Sequence, residues 1–183
     1  VLKSSTQMGK NVSTFEKKIS KLFEKKYGLM VNSGSSALLL AMETLDFPEG
    51  SEIITPALTF STTVGYIVRN KWIPVFVDVE EGTYCINENK IKSLITKKTK
   101  AVVAPHLMGN IVNWKKISPF LKKKGIMIVE DSADTLGATY KKQSTGRYAD
   151  ISITSFYGSH IINCAGNGGM VCFNDKTKYT KAK

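Results

Sequence analysis

The chain has 183 residues, is 42% hydrophobic and carries a net charge of +11 at pH 7. That is enough apolar material for one globular core, and a charge that raises nucleic acid as a partner. Against that partner, Arg69 and Arg147 are the only arginines and the lysines scatter over helix faces and turns, whereas base and phosphate readout favours bidentate arginine and interleaved aromatic rings. No run approaches the roughly 18 to 20 apolar residues of a membrane-spanning helix, and no apolar signal core follows Val1. Cys85, Cys164 and Cys172 show neither metal-ligand spacing nor an even pairing scheme, so free thiols in a reducing cytoplasm are expected.

Ser13-Thr14-Phe15-Glu16 has the spacing of a capping box, and Phe15, Ile19, Leu22 and Phe23 recur on one face. A helix is predicted from there to about Tyr27, with Gly28 as its stop. Leu29-Met30-Val31 reads as a short strand, followed by Asn32-Ser33-Gly34-Ser35-Ser36 and a helix through Ala37 to Ala41. Strand-like runs then alternate with helical stretches, at residues 52–55, 73–79, 101–105, 126–130, 151–155 and 170–173. Several are continuously apolar and β-branched, as expected when helices cover both faces. The pattern predicts an α/β domain with a mostly parallel central sheet flanked by helices. Both ends, Val1 and Lys183, read as cuts within a longer chain.

The polar residues concentrate at strand ends. Asp131 follows 126–130, His106 follows 101–105, and Ser155 closes 151–155. In open α/β sheets ligands bind outside the carboxyl ends of the strands, so these three are expected on one rim. Asn32-Ser33-Gly34-Ser35-Ser36 before a helix is either a phosphate cradle, built from free backbone amides at a positive helix end, or a serine cap in a tight turn. Asp131 is a surface carboxylate, a metal ligand or the partner of a cofactor ring nitrogen. Metal is the weakest of these, because the two histidines of the chain have no ligand spacing to each other or to a cysteine.

Taken together, these segments resemble the DegT/DnrJ/StrS sugar aminotransferases, a branch of the fold-type-I pyridoxal-phosphate enzymes. The resemblance covers nearly the whole chain. Gly9-x-x-Val12-x-x-Phe15-Glu16, residues 31–38, Ile54-Thr55-Pro56-Ala57-Leu58-Thr59-Phe60 and Pro74-Val75-Phe76-Val77-Asp78-Val79 carry its first half. His106-Leu107-Met108-Gly109, Glu130-Asp131-Ser132-Ala133-Asp134-Thr135-Leu136-Gly137-Ala138 and Asp150-Ile151-Ser152 to Ser155-Phe156 carry the second. It implies that residues 1–183 are the interior of the large cofactor-binding domain, without the small C-terminal domain. It further implies that Gly34 and Ser35 present amides to the cofactor phosphate, with Ser155 adding a hydroxyl. Phe60 would stack on the pyridine ring, its alternative being core packing, and Asp131 would pair with the ring nitrogen. His106 would lie near substrate or cofactor, its alternative being a loop cap through hydrogen bonds.

Two positions depart from the family pattern. Asp134 stands where the family usually has glutamine near the cofactor's 3-hydroxyl, and His160 stands where the Schiff-base lysine usually follows Ser-Phe. No lysine occurs between Lys142 and Lys176. Imidazole forms no stable imine with the cofactor aldehyde, so the cofactor would stay as untethered pyridoxamine phosphate, with His160 moving protons. Within the family this change resembles the hexulose 3-dehydratases of deoxysugar and lipopolysaccharide biosynthesis, acting on a nucleotide-linked 4-keto-6-deoxyhexose. A nucleotide-sugar aminotransferase and a non-catalytic binding module are the alternative readings. Relatives are homodimers that share active-site residues between subunits. An iron–sulfur centre or a reductase partner would concern only segments beyond Lys183.

Overall fold

The computed structural model describes residues 8–183, so the signal-core reading near Val1 lies outside the described residues. Helix α1 (Lys10–Leu22) leads into β1 (Tyr27–Val31), and α2 (Gly34–Glu43) into β2 (Glu52–Pro56). Then come α3 (Ser61–Arg69), β3 (Ile73–Val77), α4 (Glu88–Leu94), β4 (Thr99–Pro105), α5 (Trp114–Lys123) and β5 (Met127–Asp131). A small hairpin, β6 (Thr139–Tyr140) and β7 (Gln143–Ser144), precedes β8 (Ile151–Ser155), β9 (Gly169–Phe173) and α6 (Lys176–Ala182).

Among the described residues, seven strands form one sheet in the order β1-β9-β8-β5-β4-β2-β3. Strand β9 runs antiparallel to both its neighbours, and the other pairings are parallel. The helical crossovers between β2 and β3 and between β4 and β5 force the parallel sense. All strands except β9 therefore bring their carboxyl ends to one edge. The long connection from β8 back to β9 crosses that same edge.

Alternation along the strands builds two cores. Ile53, Val103, Val129, Ile153 and Val171 face α2 and α3, burying Leu38 and Ile67. Ile54, Val102, Ala104 and Ile128 face α5, burying Trp114 and Ile117. A third cluster ties α1 to the site edge, with the Phe15 and Phe156 rings 5.0 Å apart. Among the described residues no helix is long and apolar enough to cross a membrane, and all three cysteines are free thiols.

The first helix differs from its sequence expectation. It starts at Lys10 with Gly9 as an N-cap that offers no side chain, so the capping-box residues Ser13 and Glu16 lie inside it. Thr14 donates back to the Lys10 carbonyl at 2.8 Å, and the Glu16 carboxylate accepts the Met30 amide of β1 at 2.8 Å. Glu16 thus joins helix to sheet rather than closing a cap. The helix ends at Leu22, and Glu24 in left-handed backbone (φ 53°) turns the chain into β1. Gly28 is not its stop but a β1 residue paired with Cys172. A Cβ there would lie 2.8 Å from the Glu16 carbonyl oxygen, so glycine is what lets α1 lie close on the sheet. Helix α2 also begins earlier than expected, at Gly34, and β3 stops at Val77, leaving Val79 in an isolated bridge to Ile86.

Candidate active site

The first site element is the N-terminus of α2. Ser33 caps it, its hydroxyl accepting the Ser36 amide at 3.1 Å, while the first-turn amides of Gly34 and Ser35 have no acceptor within the helix. The serine cap offered by the sequence is thus present, and it leaves those two amides without a helical acceptor. Two glycines make room for it. A Cβ on Gly34 would sit 2.7 Å from Ser155 Cβ, and one on Gly169 would sit 2.1 Å from the Ser33 carbonyl oxygen. Ser155 Oγ accepts the Tyr157 amide at 3.3 Å, which leaves its proton to be donated elsewhere. Gly169→Ala is expected to lower stability by about 1–3 kcal/mol through overpacking, read as a lower denaturant midpoint. An unchanged midpoint would show that the approach is not tight.

Phe60 caps α3 and is 65% exposed, so it is not a core residue; its ring stands free at the cavity wall. Asp131 ends β5 with its side chain nearly buried, Oδ1 accepting the Ala133 amide at 3.0 Å. Burial pushes its carboxyl up to about 6; the Ala133 amide pulls the other way, and the nearby Asp134 charge adds to the rise. A carboxylate held this far from its ordinary range gains from a cation placed beside it.

His106 is fully buried at the end of β4. Its Nδ1 accepts the Val112 amide at 2.9 Å, so Nε2 carries the proton and faces Glu130 Oε2 at 3.4 Å. The loop-capping alternative describes this hydrogen bond, although the ring also forms part of the cavity wall. Burial opposes ionisation of Glu130, but His106 and the Ser132 hydroxyl hold its carboxyl below the usual range. Ser132 and Thr145 donate to Oε1 at 2.8 and 3.0 Å. The Glu130 network has no local sequence signal, since it depends on β4 and β5 being neighbours.

Asp134 lies in the turn after β5, its Oδ2 accepting the Met108 amide at 2.9 Å. Its Oδ1 is 3.4 Å from His160 Nδ1. His160 stands in the connection between β8 and β9, its amide bonded to the Tyr157 carbonyl at 3.0 Å and the two rings edge to face. Tyr157, Ser159 and Asn167 from this connection also line the cavity. The sequence does not mark them as site residues, because the segment has no periodicity.

Gly34, Ser35, Phe60, His106, Asp131, Asp134, Ser155 and His160 all line one cavity of about 660 Å³, within the size range of cofactor sites. No lysine lines it. The donor set suits a phosphorylated aromatic with a basic ring nitrogen: an anion cradle kept open by glycine, an exposed aromatic face, and a carboxylate that gains from a neighbouring cation.

A mostly parallel sheet with a capped helix N-terminus and a buried acid at its carboxyl edge is the arrangement of an open α/β fold that binds ligands at that edge. Over residues 1–183 the chain matches the DegT/DnrJ/EryC1/StrS aminotransferase family, and it belongs to that family. It is 39% identical over 171 residues to a dTDP-4-dehydro-2,6-dideoxy-D-glucose 3-dehydratase of Saccharopolyspora spinosa, covering 89% of this chain and 37% of the relative. It is 36% identical over 173 residues to a GDP-perosamine synthase of Escherichia coli O157:H7, covering 94% and 47%. The chain therefore spans less than half the length of these relatives. Among solved structures, GDP-4-keto-6-deoxy-D-mannose-3-dehydratase of E. coli with bound hydrated pyridoxal phosphate superposes with a TM-score of 0.91 at 32% identity, covering 98% of this chain and 48% of that one. The fold is that of the fold-type-I pyridoxal-phosphate enzymes.

Proposed function

We propose that residues 1–183 form the interior of the large domain of a pyridoxamine-phosphate-dependent 3-dehydratase acting on a nucleotide-linked 4-keto-6-deoxyhexose. One observation carries this reading: His160 occupies the cavity wall, and among the described residues no lysine reaches it. The relatives support the wider frame, since they include sugar 3-dehydratases and an aminotransferase of pseudoaminic acid biosynthesis.

In this reading Gly34, Ser35 and Ser155 hold the phosphate, Phe60 covers the ring, and Asp131 keeps its nitrogen protonated. The bound group supplies an amine for the C4 ketone and an electron sink for loss of the C3 hydroxyl. His160 is the side chain that takes and returns the proton. In this reading the cofactor is held by contacts alone, without an imine.

The test is covalent. Dialysis of purified protein is expected to remove pyridoxamine phosphate completely, and borohydride treatment after loading with pyridoxal phosphate to leave the protein mass unchanged. His160→Lys is expected to gain a borohydride-fixed cofactor mass and to lose dehydration. A fixed mass on the unaltered protein would instead favour the aminotransferase reading, and failure to bind either form a non-catalytic one.

A further inference from the structure

We infer that Asp134 is the positioning carboxylate of His160, selecting its tautomer and fixing its ring. The inference rests on the reading of His160 as the proton carrier. It gives Asp134 a task other than the contact with the cofactor's 3-hydroxyl that the family resemblance implies.

The two oxygens of Asp134 have separate partners. Oδ2 accepts the Met108 amide at 2.9 Å, and Oδ1 stands 3.4 Å from His160 Nδ1. Met108 adopts left-handed backbone (φ 55°, ψ 33°), and Gly109 follows with φ 83°. This conformation is uncommon for a side-chain-bearing residue, and the hydrogen bond from the Met108 amide to the Asp134 side chain helps to hold it. The turn after β5 is itself fixed, with the Thr135 amide on the Ser132 carbonyl and the Ala138 amide on the Thr135 carbonyl. Asp134 is thus held from two sides before it meets the imidazole.

His160 is constrained to match. Its amide bonds to the Tyr157 carbonyl, the Cys164 amide bonds to the Phe156 carbonyl at the base of the same loop, and the Tyr157 ring abuts the imidazole edge. A fixed anion at Nδ1 favours the tautomer with the proton on Nδ1, which leaves Nε2 unprotonated as the acceptor for a substrate proton. The imidazolium formed on accepting that proton is then stabilised by the same carboxylate. Contacts of this kind are commonly loose without ligand and tighten once one is bound.

Asp134→Asn tests the assignment with little change in shape. Its single oxygen can keep the Met108 amide, which turns the amide NH2 towards Nδ1 and forces the imidazole proton onto Nε2. The intact protein, labelled with 15N in its histidine rings and loaded with pyridoxamine phosphate, reports the tautomer by imidazole 15N shifts at alkaline pH. The signal lost in His160→Asn assigns that ring. The expected result is an Nδ1–H ring in the unaltered protein and an Nε2–H ring in Asp134→Asn. Turnover should fall about 10–100-fold, with the thermal midpoint unchanged and the pyridoxamine phosphate affinity within twofold of the starting value. Asp134→Glu should restore the Nδ1–H signature and part of the turnover. An unchanged tautomer in Asp134→Asn overturns the inference, and weaker cofactor binding with an unchanged tautomer makes Asp134 a cofactor ligand instead. Wild-type turnover in His160→Asn would remove the reading of His160 itself, an outcome separate from the tautomer measurement.

Discussion

His160→Asn is expected to lower dehydration by about 10²–10⁴-fold, the usual contribution of a positioned acid–base group. The residue lies in the connection between β8 and β9 rather than in a core, and its backbone bond to the Tyr157 carbonyl does not involve the ring. Asparagine fits the space, keeps that backbone bond, and is a poor base at neutral pH. Stability should therefore move by less than about 0.5 kcal/mol, as for substitutions outside packed regions. The measurement is loss of the C3 hydroxyl from a nucleotide-linked 4-keto-6-deoxyhexose, beside a thermal melt of the same sample. Elimination at the wild-type rate would remove His160 from the chemistry, whereas a large fall in melting temperature would mark it as structural.

Legibility in the sequence followed the range of the interactions. The strands were readable because continuous apolar, β-branched runs have few other uses, and the parallel sense followed from helices between them. Strand order was not, because pairing β1 with β9 joins residues far apart in the chain. The first helix shows the limit of local signals. Ser13 to Glu16 has capping-box spacing, yet Glu16 spends its carboxylate on Met30, and Gly28 answers a steric demand from α1 rather than ending it.

The site divides in the same way. Asp131, His106 and Ser155 could be placed on one edge because sheet geometry gathers strand ends, and the family resemblance pointed to Phe60, Gly34 and Ser35, which line the same cavity. The contact of Asp134 with His160 could not be read. It needs the turn at 107–109, the turn after β5 and the connection between β8 and β9 to meet, and none of these has a period. The burial of Glu130 beside His106 was hidden for a related reason: two adjacent strands had to be known as adjacent.

Asp131→Asn is expected to move stability and activity in opposite directions. The carboxyl has an ordinary value of 3.8 and is raised to about 6, first by burial. An acid with a raised native pKa holds a proton in the fold that the unfolded chain has already released. Its contribution to stability is therefore complete below about pH 3.8 and is lost as pH rises through about 6. Above that window the buried charge is a cost of at most about 3 kcal/mol. Asparagine removes the charge and can still accept the Ala133 amide. The cofactor-free variant should therefore melt higher than the parent at pH 8, with a flatter dependence of stability on pH between 4 and 6. With cofactor the order reverses. An amide cannot hold a ring nitrogen protonated, so turnover should fall on the order of 10²–10³-fold, as when a preorganised electrostatic partner is removed, and the stabilisation gained on cofactor binding should shrink. Thermal melts across pH, with and without pyridoxamine phosphate, separate the two effects. If Asp131→Asn lowered the melting temperature of the cofactor-free protein in parallel with its activity, the carboxylate would be holding the fold together rather than waiting for a cation.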